Sequence, residues 1–222
     1  DKLKNNPNLT DNLDDIWSEI VKTKDAKEDY IEISIKEVHY LGFNVEYKGV
    51  LGYLPKHLIF DSKLRNYNYD HVNWVTRVKC LNFSKELNYF TCSQLTLDDK
   101  NFYSEKILDV KPAVGHIVKG KVKAISDYGL FVTTIYGDGL LHINNLTDNY
   151  WDYSLLCKIF KQNQEIFLVI KNINAEDKID YSFEELRETN YRGEYWNLVA
   201  KITTIINENE YYDKTNEKDL KN

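Results

Sequence analysis

Lys119, Lys121 and Lys123 alternate along one stretch of the chain, Ile117-Val118-Lys119-Gly120-Lys121-Val122-Lys123. In a strand, successive side chains point to opposite faces, so the three ammonium groups share one side and can reach phosphates. The same pattern also describes a solvated strand face. Other chemically capable residues are scattered. His39, His57, His71 and His116 lack metal-ligand spacing, and Cys80, Cys92 and Cys157 form neither a zinc signature nor a disulfide framework. Cys80 and Cys92 can face each other across a hairpin, which reads as a pair of buried free thiols. There is no phosphate-binding loop and no nucleophile elbow, and Gly137-Asp138-Gly139 reads as a hairpin turn. Carboxylates are numerous, but none pairs with a motif. These patterns predict no enzyme, no cofactor and no metal site.

The elements that carry these residues must be small. The chain has 222 residues, 42% hydrophobic, 29% charged and 14% aromatic. That suits one large domain or two small ones with packed cores, and excludes wholesale disorder. No apolar run approaches the ~20 residues that cross a bilayer, so no membrane partner is expected. The opening Asp1-Lys2-Leu3-Lys4-Asn5-Asn6 is polar, with no signal-peptide pattern. The chain lacks methionine, so Asp1 is not expected to be the native start. A net charge of -6, from 29 Lys+Arg against 35 Asp+Glu, argues against a globally basic nucleic-acid binder. It leaves a local basic or aromatic surface open. The cysteine usage makes a reducing cytoplasm the default location.

Residues 1–27 read as a loose leader and a short helix from Asp11 to Lys22, with Leu13, Ile16, Trp17, Ile20 and Val21 on one face. From Asp29 the period changes to alternation rich in β-branched residues, and five short strands follow within 28–97. The polar stretch Asp61 to Asn73 reads as a loop, and 98–110 as a linker ending before Pro112. The same plan then recurs over 111–186. Gly42 falls on Gly129 and Gly52 on Gly139 at one constant offset, and Lys79-Cys80-Leu81-Asn82 matches Lys171-Asn172-Ile173-Asn174 after a small insertion. An internal repeat of a five-stranded unit predicts two small barrels. In the extension 187–222, Tyr195 to Ile206 fits a helix by periodicity and a strand by composition. We read a helix packed on the second barrel, followed by a polar, mobile tail from Asn207.

The run from Val114-Gly115-His116 through Asp127-Tyr128-Gly129-Leu130-Phe131-Val132 to Gly139-Leu140-Leu141-His142-Ile143 resembles the S-one domain, the RNA-binding OB-fold module named after ribosomal protein S-one. The first copy is similar but weaker. Its Gly49-Val50-Leu51-Gly52-Tyr53-Leu54-Pro55 resembles the amino-terminal repeats of that family. The resemblance implies a mainly β fold of two tandem five-stranded OB barrels, with a short N-terminal helix and a C-terminal helix.

By the same resemblance, the ring positions on which bases stack fall on Tyr128 and Phe131, and the histidine position on His142. The aspartate and arginine positions of the last hairpin carry Asn174 and Lys178. Asn174 keeps an acceptor and adds a donor, whereas Lys178 keeps the charge and loses the planar fork. In the first barrel the matching positions are Leu41, Asn44 and Pro55, so the stacking platform is missing there. The resemblance implies a protein-docking role for that barrel, with Tyr53, Tyr67, Tyr69 and Trp74 as its candidate surface. An aromatic cluster is equally what an ordinary core looks like.

The expected function is a non-catalytic, cytoplasmic single-stranded-RNA-binding protein of translation, with RNA gripped by the second barrel. The first barrel would dock on the small ribosomal subunit or another protein. Two rival readings are a protein-interaction adaptor with a vestigial groove, and an RNA-feeding fragment of a larger ribonuclease or transcription factor.

Overall fold

The computed structural model describes residues 7–26, 28–66, 69–94 and 110–219. Helix α1 spans Pro7–Asp25 and starts before the expected Asp11, with a proline at the first helical position, where no N–H is needed. Its buried face carries Ile16, Trp17, Ile20 and Thr23, at the spacing of one helical stripe. Thr23 fastens it. Its hydroxyl donates to Ile20 O at 2.8 Å and accepts the Cys80 N–H at 2.8 Å.

Strands β1 (Ile31–His39), β2 (Gly42–Tyr47), β3 (Val50–Pro55), β4 (Val75–Ser84) and β5 (Tyr89–Ser93) close a barrel in the order β1-β2-β3-β5-β4. β1–β2, β1–β4, β2–β3 and β4–β5 pair antiparallel, and β3 pairs with β5 in parallel. The expected loop 61–73 contains a short helix α2, Ser62–Arg65, because the Asp61 side chain caps it by accepting the Lys63 N–H. Cys80 and Cys92 are register partners across β4 and β5, both buried and neither in a disulfide.

The second barrel consists of β6 (Ile117–Ser126), β7 (Gly129–Thr134), β8 (Gly137–His142), β9 (Glu165–Ile173) and β10 (Ile179–Ser182). It closes as β10-β8-β7-β6-β9, the same cyclic order as the first. Helix α3, Tyr153–Ile159, bridges β8 and β9, with Asp152 as its cap. The two central strands and the turn after them keep one displacement of 87 residues (42 to 129, 47 to 134, 50 to 137, 55 to 142). Their hydrogen bonds repeat too. Lys56 N–H donates to Leu41 O in the first barrel, and Ile143 N–H to Tyr128 O in the second.

Gly129 is required by the second barrel. Its φ is +152°, and a Cβ there would stand 2.4 Å from Leu141 O. In the first barrel Leu54 O crowds Gly42 in the same way.

The chain forms two compact units, residues 1–120 with 134–137, and 121–133 with 138–222. The C-terminal segment is a helix, α4, Arg192–Asp219. It buries Tyr195, Leu198 and Ile202, a helical stripe, which decides between the two readings of this stretch. It also runs beyond the expected end at Ile206. The linker expected at 98–110 lies, up to residue 109, outside the described residues.

Candidate nucleic-acid interface

The strand β7 sorts its side chains by alternation. Leu130 and Val132 are fully buried, and Phe131 between them points outward, 38% exposed. Tyr128, in the turn before Gly129, is 45% exposed. The two rings meet edge to face, centroids 5.9 Å apart at 84°. That contact holds both rings in place while leaving ring area in water. His142 ends β8. Its Nδ1 accepts the Asn144 N–H at 3.1 Å. In the neutral ring the proton then sits on Nε2, which can donate outward. The Ile143 N–H to Tyr128 O bond, 3.0 Å, ties the histidine end of β8 to the tyrosine turn.

The structure therefore brings Tyr128, Phe131 and His142 together on adjoining strands. Lys119, Lys121 and Lys123 lie on the outward face of β6, next to β7, since Val118, Gly120 and Val122 point into the core. The Lys123 ammonium pairs with the Asp138 carboxylate. Hydrogen bonds from Lys123 and then Thr133 hold Asp138 below the usual carboxylate range.

Asn174 and Lys178 lie in the β9–β10 turn. The Asn174 Oδ1 accepts the N–H groups of Glu176 and Lys178, both at 2.9 Å, so its acceptor shapes the turn. Lys178 pairs with Glu176 at 2.8 Å, both well exposed. This turn joins β8 at Gly139, the partner of Ile179, three residues from His142.

Two exposed residues had no sequence motif to announce them. Lys171, on β9, donates to Asn145 Oδ1 at 2.6 Å, just past His142. Tyr150 stands in the loop before α3, where the sequence shows only a connecting segment.

The first unit differs at each matching position. Leu41 is exposed, but Asn44 is 1% exposed, and its Oδ1 accepts the Ile117 N–H at 3.1 Å within the same unit. Every residue of β3 is buried, on both faces. Tyr53, expected on a docking surface, is buried instead. The His116 ring covers it at 3.5 Å, so Tyr53 offers no exposed ring. Burial, with His39 nearby, pushes His116 down to about 3, and neither ring nitrogen has a hydrogen-bond partner. Trp74 is 43% exposed, edge-on to His71. Tyr67 lies outside the described residues, as does the side chain of Tyr69. Exposed Tyr30, Phe60 and Val75 also lie on this barrel, with Arg77 over Tyr30 and Arg65 over Phe60.

Among the described residues, no three His, Cys, Asp or Glu side chains are grouped to hold a metal ion. No helix among them is long and apolar enough to cross a membrane.

Residues 111–184 match the family model of the S1 RNA binding domain. The second barrel belongs to that family. Curated proteins similar to the chain include ribosomal ones. Over 171 residues, 75% of this chain and 29% of the relative, the chain is 27% identical to the small ribosomal subunit protein bS1 of Helicobacter pylori. Over 73 residues, 32% of this chain, it is 38% identical to bS1 of another strain of that species. It is 25% identical over 150 residues to a bS1 homolog of Bacillus cereus, covering 65% of this chain. The chain spans only 13–37% of the length of these relatives.

Proposed function

We propose that this chain is a non-catalytic single-stranded-RNA-binding protein of the translation apparatus, gripping RNA through its S-one barrel. The observation that carries this reading is the pair of half-exposed rings, Tyr128 and Phe131, fixed edge to face beside His142. Exposed aromatic rings give bases a stacking surface worth roughly 1–3 kcal/mol per base without sequence preference. The histidine Nε2 can donate to a base edge or phosphate, and Lys119 and Lys121 lie one strand away. With Lys123 and Lys178 already paired to carboxylates, the phosphate contribution is small and the salt dependence shallow. The bS1 relatives point to the ribosome as the setting and to the cytoplasm as the location.

The first barrel is the docking part of this proposal. At its groove positions Asn44 and Pro55 are buried and Leu41, though exposed, carries no ring, which leaves no stacking platform. The exposed Trp74, Val75, Phe60 and Tyr30 give it an apolar outer surface that suits a protein partner, the small ribosomal subunit foremost.

The test is fluorescence anisotropy of a labelled single-stranded RNA with wild type and a Tyr128→Ala, Phe131→Ala, His142→Ala variant at physiological salt. The variant should bind at least about a hundredfold more weakly while keeping its circular dichroism spectrum. Equal binding by both, or none by the folded wild type, would contradict the reading.

A further inference from the structure

Past His142 the chain builds a feature that the ring platform does not use. Ile143–Asn145 form a 3-10 turn, and the loop Thr147–Trp151 then curves around a concavity of about 360 Å³. This loop is held firmly from inside. Trp151 is buried, and its indole N–H donates to the Thr147 hydroxyl at 3.2 Å. That hydroxyl donates to Asn149 Oδ1 at 3.0 Å. Arg187 Nη1, from the turn after β10, stands 3.5 Å from the Asp148 carboxylate. On this braced loop Tyr150 is 87% exposed, the highest value for a large hydrophobic side chain among the described residues.

We propose that the Thr147–Trp151 loop is a second stacking station, seating a nucleobase next to those on Tyr128 and Phe131. The proposal rests on the RNA-binding reading above and extends its site. The two stations are contiguous. Ile143, whose N–H is bonded to Tyr128 O, lines the concavity, as does Asn144, whose N–H is bonded to His142. The lining chemistry selects a base over a phosphate. No lysine or arginine lines the concavity, and its one carboxylate, Asp148, is paired with Arg187, so the lining holds no cation to seat a phosphate. An uncharged base meets the face of Tyr150 instead. The Asn149 carboxamide has its oxygen engaged by Thr147, which leaves its N–H donors for an acceptor on the base edge. Bracing keeps the ordering cost of capture low. The first barrel carries no ring at the position matching Tyr150. The position 87 residues earlier is Lys63, inside the short helix α2.

The experiment uses the whole chain with a ladder of labelled oligouridines from about 4 to about 12 nucleotides, spanning the site sizes of OB folds. Tyr150→Ala should weaken the longest oligonucleotide by about tenfold and the shortest by no more than about twofold, one stacked base being lost. Tyr150→Phe, which keeps the ring, should bind as wild type. Tyr150→Ala binding like wild type at every length, while Tyr128→Ala loses affinity, would overturn the second station and leave the platform standing. An equal loss in Tyr150→Phe would overturn stacking as its basis. Wild type that binds no oligouridine of any length would overturn both.

Discussion

The two barrels share strand order, the boundaries of their second and third strands, and the hydrogen bond that ties the β1–β2 turn, or its counterpart, to the turn after the third strand. They differ in what stands on that common backbone. At one position Phe131 is an exposed ring, while Asn44 is a buried carboxamide holding a backbone N–H. At another, His142 ends an open strand, while Pro55 ends a strand buried on both faces. Backbone geometry makes the barrel, and a few outward positions decide whether it has a usable face.

That contrast can be broken most severely through the backbone. Gly129→Ala sets a Cβ against Leu141 O at a φ that L-residues rarely adopt. It should destabilise the protein by about 3 kcal/mol and abolish RNA binding with it, read by urea denaturation and anisotropy. A fully stable, RNA-binding Gly129→Ala protein would mean that the turn can rearrange.

A smaller effect concerns the covered face of the first unit. Unfolded, His116 takes a proton near 6.5; folded, it resists until about 3. Between those values the unfolded state binds more protons, so stability falls as pH falls, and above 6.5 this contribution is complete. His39, Tyr53 and Tyr136 are the titratable groups around it. His116→Phe should remove on the order of 2 kcal/mol of the stability loss between pH 7 and pH 4.5. Parallel urea-midpoint curves for wild type and variant over that range would show that His116 is solvated.

The smallest expected effect is none. Leu41→Tyr, Asn44→Phe and Pro55→His, placed in the triple-alanine variant, copy the platform onto the first barrel. RNA binding should not return, because position 44 is closed off by the Ile117 contact. Recovery of binding would show that the face opens.

Much of this architecture was legible in the sequence. Gly42 and Gly129, then Gly52 and Gly139, set the repeat register because close neighbours leave no room for a Cβ there. The outward placement of Phe131 follows from strand alternation around Leu130 and Val132. Contacts remote in sequence were not legible. Tyr53 reads as an available ring until His116, more than 60 residues away, is seen to cover it. Nothing local announces the pairing of Lys123 with Asp138 or the use of the Asn174 acceptor inside its own turn. Tyr150 escaped because one exposed aromatic in a loop has no periodicity. Its significance comes from the buried Thr147 and Trp151 that brace it.

The most direct test of the central claim is residue-resolved. Amide chemical shifts of the ¹⁵N-labelled chain would be followed while a single-stranded RNA is added. The account predicts that the largest shifts fall on 128–131 and 139–151, with 41–55 unmoved. Shifts concentrated at 41–55, with the S-one barrel silent, would contradict it.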